Sequence, residues 1–111
     1  MGAVYNTKLV LHIPHFMWER GLLVETNYAG FCEALCQRLN DEGVTDWYET
    51  MAKGRYKGRR YDQELWTVFC SAEDADRILC VFRETFKAWN DILQQAAMAY
   101  ERSGVLHVEQ L

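Results

Sequence analysis

The residues best suited to chemistry fall in one short stretch, AKGRYKGRRYDQ, from Ala52 to Gln63. Five of its first nine residues are cations: Lys53, Arg55, Lys57, Arg59 and Arg60. Tyr56 and Tyr61 are interleaved with them, and Gly54 and Gly58 punctuate the run. Like charges this close repel one another, so the cluster is favoured when an anion or an acidic surface sits against it. Aromatic faces between cations can stack on a flat ligand. Glycines let backbone N–H groups approach an anionic group. The chain has 111 residues and a formal net charge of -4, with 12 Lys and Arg against 16 Asp and Glu. An acidic chain that gathers five of its twelve cations into one phrase has a loop built to meet something. The reading assigns Lys53, Arg55, Tyr56, Lys57, Arg59, Arg60 and Tyr61 to a small anionic ligand or a target protein. The competing role is a solvated tip whose charges keep a hairpin edge from pairing with another chain.

The other chemistry-bearing residues are sparser. His12, His15 and His107 are the three histidines. If the last strand lies beside the first, His12 and His107 become neighbours, and neutral imidazoles there would suit a metal. No carboxylate or cysteine is placed by sequence to complete such a set, so no metal is assigned. Cys32 and Cys36 are four apart and share a face of any helix they occupy. With Cys70 and Cys80 they make no C-x-x-C pair and match no common zinc spacing. They read as reduced, buried thiols in a reducing compartment. No G-x-S-x-G, H-E-x-x-H or phosphate-binding loop occurs, and nothing pairs a nucleophile with a base. No catalytic residue and no cofactor is assigned on these grounds.

These residues must be held by elements, and the apolar pattern says which. Thr7 to Ile13 alternates, with Leu9, Leu11 and Ile13 on one face, as in a half-buried strand ended by Pro14. His15 to Thr26 has no clear period, yet its Phe16, Met17, Trp18, Leu22, Leu23 and Val24 require packing. Asn27 caps a helix over Tyr28 to Glu42, closed by Gly43. Thr45 to Lys53 and Tyr61 to Cys70 read as strands, so the basic phrase becomes the tip of an antiparallel hairpin. Ser71, with Asp74 three residues on, caps the next helix. From there Ala75, Leu79, Phe82, Phe86, Trp89, Leu93, Ala96 and Tyr100 repeat every 3.5 residues, with no Pro or Gly between Ala72 and Ser103. A helix of about 30 residues would be about 45 Å long and would overhang its own sheet. Its second half therefore either breaks near Lys87 to Asp91 or packs on another subunit through Trp89, Leu93, Ala96 and Tyr100. Val105 to Val108 forms the last strand. The order βαββαβ predicts an α+β, ferredoxin-like single domain, residues 1–111, with two helices on one face of a four-stranded antiparallel sheet and an unusually long second helix.

The hairpin resembles that of the P-II signalling proteins, a ferredoxin-like group. GVTDWYETMAKG, Gly43 to Gly54, has the Gly-Val opening and Lys-Gly close that flank that family's second strand. YKGRRY, Tyr56 to Tyr61, is similar to the Y-x-G-x-x-Y of its flexible loop. The resemblance implies a trimer whose loops read a small effector and dock on a target, with Tyr56 at the tyrosine some members modify. The loop here is shorter, and the family's Gly-rich nucleotide loop has no counterpart after the second helix.

The first functional expectation is thus a non-enzymatic regulatory or binding protein, a homo-oligomer (trimer or dimer). Three others stand beside it: a small inhibitor acting by surface contact, nucleic-acid binding through the same tip, and a small dimeric ferredoxin-like barrel enzyme with Trp or His in its pocket. A sequence pI near 5.3 opposes the nucleic-acid reading, because the carboxylates repel phosphate. No run of eighteen apolar residues, secretory leader or myristoylation motif is visible (Asn6 stands where the last wants Ser or Thr), so a soluble, cytoplasmic protein is expected.

Overall fold

The computed structural model describes residues 5–111, and the Met1-Gly2 opening lies outside them. Strand β1 (Thr7–Pro14) is followed by a small hairpin of β2 (Phe16–Glu19) and β3 (Leu22–Glu25). Helix α1 (Tyr28–Asp41), strands β4 (Tyr48–Tyr56) and β5 (Arg59–Cys70), helix α2 (Ala72–Leu93) and strands β6 (Ala97–Arg102) and β7 (Val105–Gln110) complete the order. The main sheet has five strands in the order β4-β5-β1-β6-β7, and every pairing in it is antiparallel. The β2-β3 hairpin forms a separate two-stranded sheet.

The expected simple four-stranded ferredoxin-like arrangement is therefore corrected: there are seven strands, in two sheets. Two stretches account for the difference. The unassigned segment after Pro14 pairs with itself as β2 and β3, turning through Arg20 and Gly21, both at positive φ. Type I′ turns of this kind match the twist of a tight hairpin. The second stretch is the tail of the expected long helix, and α2 has 22 residues instead of about thirty.

Its stop needs neither Pro nor Gly. Gln94 adopts the left-handed conformation, and its N–H donates to the Asn90 carbonyl at 2.7 Å. The Asn90 side chain then grips Gln95 twice, accepting from its N–H at 2.9 Å and donating to its carbonyl at 3.1 Å. Beyond this clamp the chain alternates with period 2, Met98 and Tyr100 facing inward and Ala97 and Ala99 outward. The 3.5-residue stripe crosses the boundary by coincidence. Leu93 ends the helix inside this chain's own core, Ala96 is in the connection, and Tyr100 is a buried strand residue. Trp89 lies against Gly30, where a Cβ would come within 2.6 Å of the indole.

Both helices cover one face of the main sheet. Leu9, Leu11 and Ile13 of β1 are fully buried there, with Trp66, Val68 and Met98 from its neighbours. Phe31, Leu35 and Leu39 of α1 and Ile78, Phe82 and Phe86 of α2 close the layer above them. Burying side chains of this size is worth about 1.5–3 kcal/mol each, which fixes the register of β1 at the sheet's centre. Ser71 caps α2 by accepting from the Asp74 N–H at 3.1 Å, whereas Asn27 occupies the cap position of α1 without a side-chain bond. The opposite face of the sheet carries no helix. Tyr48, Phe69, Leu106 and Val108 stand exposed there. Among the described residues no helix is long and apolar enough to cross a membrane.

Candidate active site

A cleft of about 450 Å³ opens where four structural pieces converge. The end of β1 supplies His12, Pro14 and His15, and the small hairpin supplies Phe16, Trp18 and Leu23. The β4-β5 hairpin supplies Tyr56, Tyr61 and Gln63. The C-terminal half of α2, the connection after it and the start of β6 close it with Phe86, Gln94, Gln95 and Ala97. The wall is mainly aromatic and apolar, with amides and imidazoles as its polar groups, the composition of a small-molecule site.

Two histidine–carboxylate pairs border it. His15 is 4% exposed and stacks on Tyr28 with centroids 3.6 Å apart. Its Nε2 lies 3.1 Å from Glu64 Oε1, and the other Glu64 oxygen accepts from the Trp66 indole N–H at 2.5 Å. The Glu64 carboxylate is thus pinned from both sides. The His15 carbonyl is used as well, accepting from the Thr26 N–H at 2.8 Å. His12 projects from the helix-free face, and its Nε2 lies 2.8 Å from Glu101 Oε2. β6 lies between β1 and β7, so His107 is not beside His12. His107 stacks on Tyr100 instead, with centroids 5.0 Å apart. The expected neighbourhood of these two histidines is corrected. Among the described residues no three His, Cys, Asp or Glu side chains converge as a metal site.

The basic phrase is the hairpin tip, turning through Lys57 and Gly58 at φ 51° and 76°. It divides by face, since successive strand residues point to opposite sides. Tyr56 and Tyr61 line the cleft. Arg55 and Arg60, one residue away from each and paired with one another, project from the other side. Arg59 is the cross-strand partner of Tyr56. Lys53 is occupied by Asp62 at 3.3 Å, and both side chains are mostly exposed. Lys57 Nζ lies 5.5 Å from the Tyr56 ring centroid and 5.9 Å from that of Trp18. Trp18 and Tyr56 approach to 5.8 Å, joining the two hairpins at the mouth of the cleft.

Sequence reasoning found the two tyrosines but missed Trp18, His15, Glu64 and Gln63 as their neighbours. The signal for Trp18 was the apolar density of an unassigned segment. Nothing in the sequence places Glu64 against His15, because the register of β1 on β5 creates that contact.

The cysteines lie away from this cleft. Cys32 and Cys36 are half-buried on one face of α1, Cys70 is buried and Cys80 is exposed. Burial, reinforced by Glu64, Glu49 and Cys36, pushes the Cys32 thiol up to about 12. At the far edge of the sheet, Arg83 holds Glu109 with two bonds of 2.8 Å. That pairing, against a smaller opposing effect of burial, keeps the Glu109 carboxyl below its usual range.

No protein-family model and no curated protein matches the chain. Solved structures that share its fold include two of a phage SAM lyase. A phage SAM lyase in its apo state matches with a TM-score of 0.63 at 11% identity, over 95% of this chain and 89% of that one. A phage SAM lyase in complex with S-methyl-5'-thioadenosine matches with a TM-score of 0.63 at 10% identity, over the same shares. The likeness is one of fold: this chain shares its α+β architecture with that enzyme.

Proposed function

We propose that the cleft binds an S-adenosyl sulfonium compound and that the protein is a lyase that cleaves it to the neutral thioether S-methyl-5'-thioadenosine. The observation that carries this reading is the aromatic cleft itself, in a fold shared with a lyase solved with that thioether bound. The purine is a flat ring system, and Trp18, Tyr56 and Tyr61 offer faces to it. Gln63 and Gln94 provide amides for ribose hydroxyls.

Electrostatics support a cation more than a polyphosphate. The helix end at the cleft is the C-terminal end of α2, which carries the negative pole of the helix dipole. Phosphate sites use the opposite end. The carboxylates of Glu64 and Glu101, bonded to His15 and His12 on opposite faces of the sheet, add negative charge around the cleft.

In the proposed step the bond between sulfur and the four-carbon amino-acid chain breaks, and its electron pair stays on sulfur. The carboxylate of that chain closes onto the carbon released. One C–S bond is lost and one C–O bond is made, no proton moves, and both formal charges disappear. A step that destroys charge is slowed by water, which solvates the charged reactant best. An apolar wall that excludes water and folds the chain onto itself is the contribution asked of the protein. His15 and Glu64 then act as a fixed part of the wall rather than as acid and base.

Calorimetric titration with S-methyl-5'-thioadenosine tests the binding half. One saturable site is expected, and Tyr61→Ala should weaken it by about 5–150-fold. A flat titration of the parent would refute the assignment.

Assembly belongs to the same proposal. The homo-oligomer expected from the sequence cannot use Leu93 or Tyr100, which this chain buries itself. The helix-free sheet face is the surface that suits a second copy. Its exposed Tyr48, Phe69, Leu106 and Val108 are apolar, and its Lys8 and Glu101 offer opposite charges to a self-complementary contact.

A further inference from the structure

Lys57 takes no part in the cleavage step, yet its placement is specific. It occupies the first position of a two-residue turn with a left-handed backbone, where asparagine or glycine is the usual choice. The turn aims its side chain across Tyr56 toward Trp18, the two rings that join the hairpins at the cleft mouth. An ammonium held over two aromatic faces is attracted to both and loses freedom to wander. Among the described residues no carboxylate lies within ion-pair distance of it. Lys53, four residues earlier on the same tip, shows the contrast, since Asp62 occupies it. Arg55 and Arg60 project from the other side of the hairpin. Among the described residues Arg59, across from Tyr56, is also without a carboxylate, but it is Lys57 that lies over the Trp18 and Tyr56 rings.

We propose that Lys57 is a specificity-determining residue: it receives the carboxylate of the ligand's amino-acid tail while the adenosyl group occupies the aromatic cleft. This rests on the S-adenosyl reading above and adds the part of the ligand that the cleft alone does not distinguish. A single ammonium on a flexible stem suits a single carboxylate. A triphosphate would need several donors and would face the negative end of α2. The arrangement also separates substrate from product. The tail carboxylate loses its charge as it closes onto carbon, so the clamp releases the amino-acid fragment, and S-methyl-5'-thioadenosine, which has no carboxylate, never engages it.

The test uses two ligands that are not turned over. S-adenosylhomocysteine has the amino-acid tail, and S-methyl-5'-thioadenosine lacks it. Calorimetric titrations are run on the parent, Lys57→Met, Lys57→Arg and, as a control for net charge, Lys87→Met on the exposed side of α2. Lys57→Met should weaken S-adenosylhomocysteine on the order of tenfold, as loss of a hydrogen bond to a charged group does. It should leave S-methyl-5'-thioadenosine unchanged. Lys57→Arg should restore most of the loss, and Lys87→Met should change neither ligand. Equal weakening of both ligands by Lys57→Met would show that Lys57 merely props the cleft mouth and would overturn the proposal. So would equal weakening of S-adenosylhomocysteine by Lys87→Met, which would reduce the effect to overall charge. If the parent binds neither ligand, the S-adenosyl reading itself falls and takes the clamp with it. Binding of both with no difference in Lys57→Met removes the clamp alone.

Discussion

Gly54→Ala separates the cleft from the fold more cleanly than any change to a lining residue. Gly54 faces Tyr61 across the β4-β5 hairpin, and the tyrosine ring lies over it. A Cβ built on Gly54 would stand 2.5 Å from Tyr61 Cζ, 2.6 Å from its hydroxyl and 2.9 Å from Cε2. Carbon atoms in good contact are about 3.5–4.0 Å apart, so the ring must retreat by about 1 Å. The atoms struck belong to the far end of a half-exposed side chain at an open hairpin tip, so the retreat is cheap for folding. The gain from a less flexible unfolded chain, about 0.4–1 kcal/mol, offsets it, and the melting temperature should barely move. The cleft takes the consequence. A ring stacked on a base contributes about 1–3 kcal/mol, and losing half of that weakens binding roughly fivefold. Thermal melts and S-methyl-5'-thioadenosine titrations on the same sample read both effects. An unchanged affinity with an unchanged melt would refute the argument, because Tyr61 would then not be part of the binding wall.

Three further outcomes follow from the same geometry. Thiol labelling at pH 8 should modify exposed Cys80 first, while Cys32, with a thiol near 12, ionises in about one molecule in ten thousand and should lag far behind; fast labelling of Cys32 in the folded protein would contradict its burial. Arg83 depresses the Glu109 carboxyl, so this pair stabilises the fold above the ordinary carboxylate range and stops doing so as pH falls through the lowered value. Both side chains are about one-third exposed, at 35% and 32%, which limits the effect of Glu109→Gln to about 0.5–1 kcal/mol at pH 7, disappearing in denaturant titrations once the pH is below the lowered value. Phe69→Glu, on the helix-free sheet face, should shift sedimentation toward a smaller species at micromolar concentration, and a parent that is already monomeric would remove the assembly proposal.

What the sequence disclosed, and what it hid, divides along physical lines. Leu9, Leu11 and Ile13, and Trp66, Val68 and Cys70, declare a buried face because alternation needs only local information. The Ser71 cap and the Gly43 stop are local too. The end of α2 was hidden because the clamp of Asn90 on Gln95 uses ordinary helix residues, and because Tyr100, a buried strand residue, happens to fall one heptad beyond Leu93. The β2-β3 hairpin was hidden because Phe16, Met17 and Trp18 are apolar in succession and show no period. Of the site, the tip was legible as a charge anomaly, but its division into a cleft side and an opposite side depends on strand register. The His15–Glu64 contact joins residues 49 apart in sequence, a pairing that only the sheet creates. The regulatory expectation rested on the cations, and it overlooked the aromatic hollow that the same hairpin walls in.

The central claim is that this cleft cleaves a sulfonium. The direct measurement is incubation of the purified protein with S-adenosylmethionine, with products separated by chromatography and identified by mass. S-methyl-5'-thioadenosine should accumulate, one molecule for each substrate lost, and Tyr61→Ala should be markedly slower while still folded. Substrate that remains at the level of a protein-free control, under conditions in which the parent is folded and at its native assembly state, would contradict it.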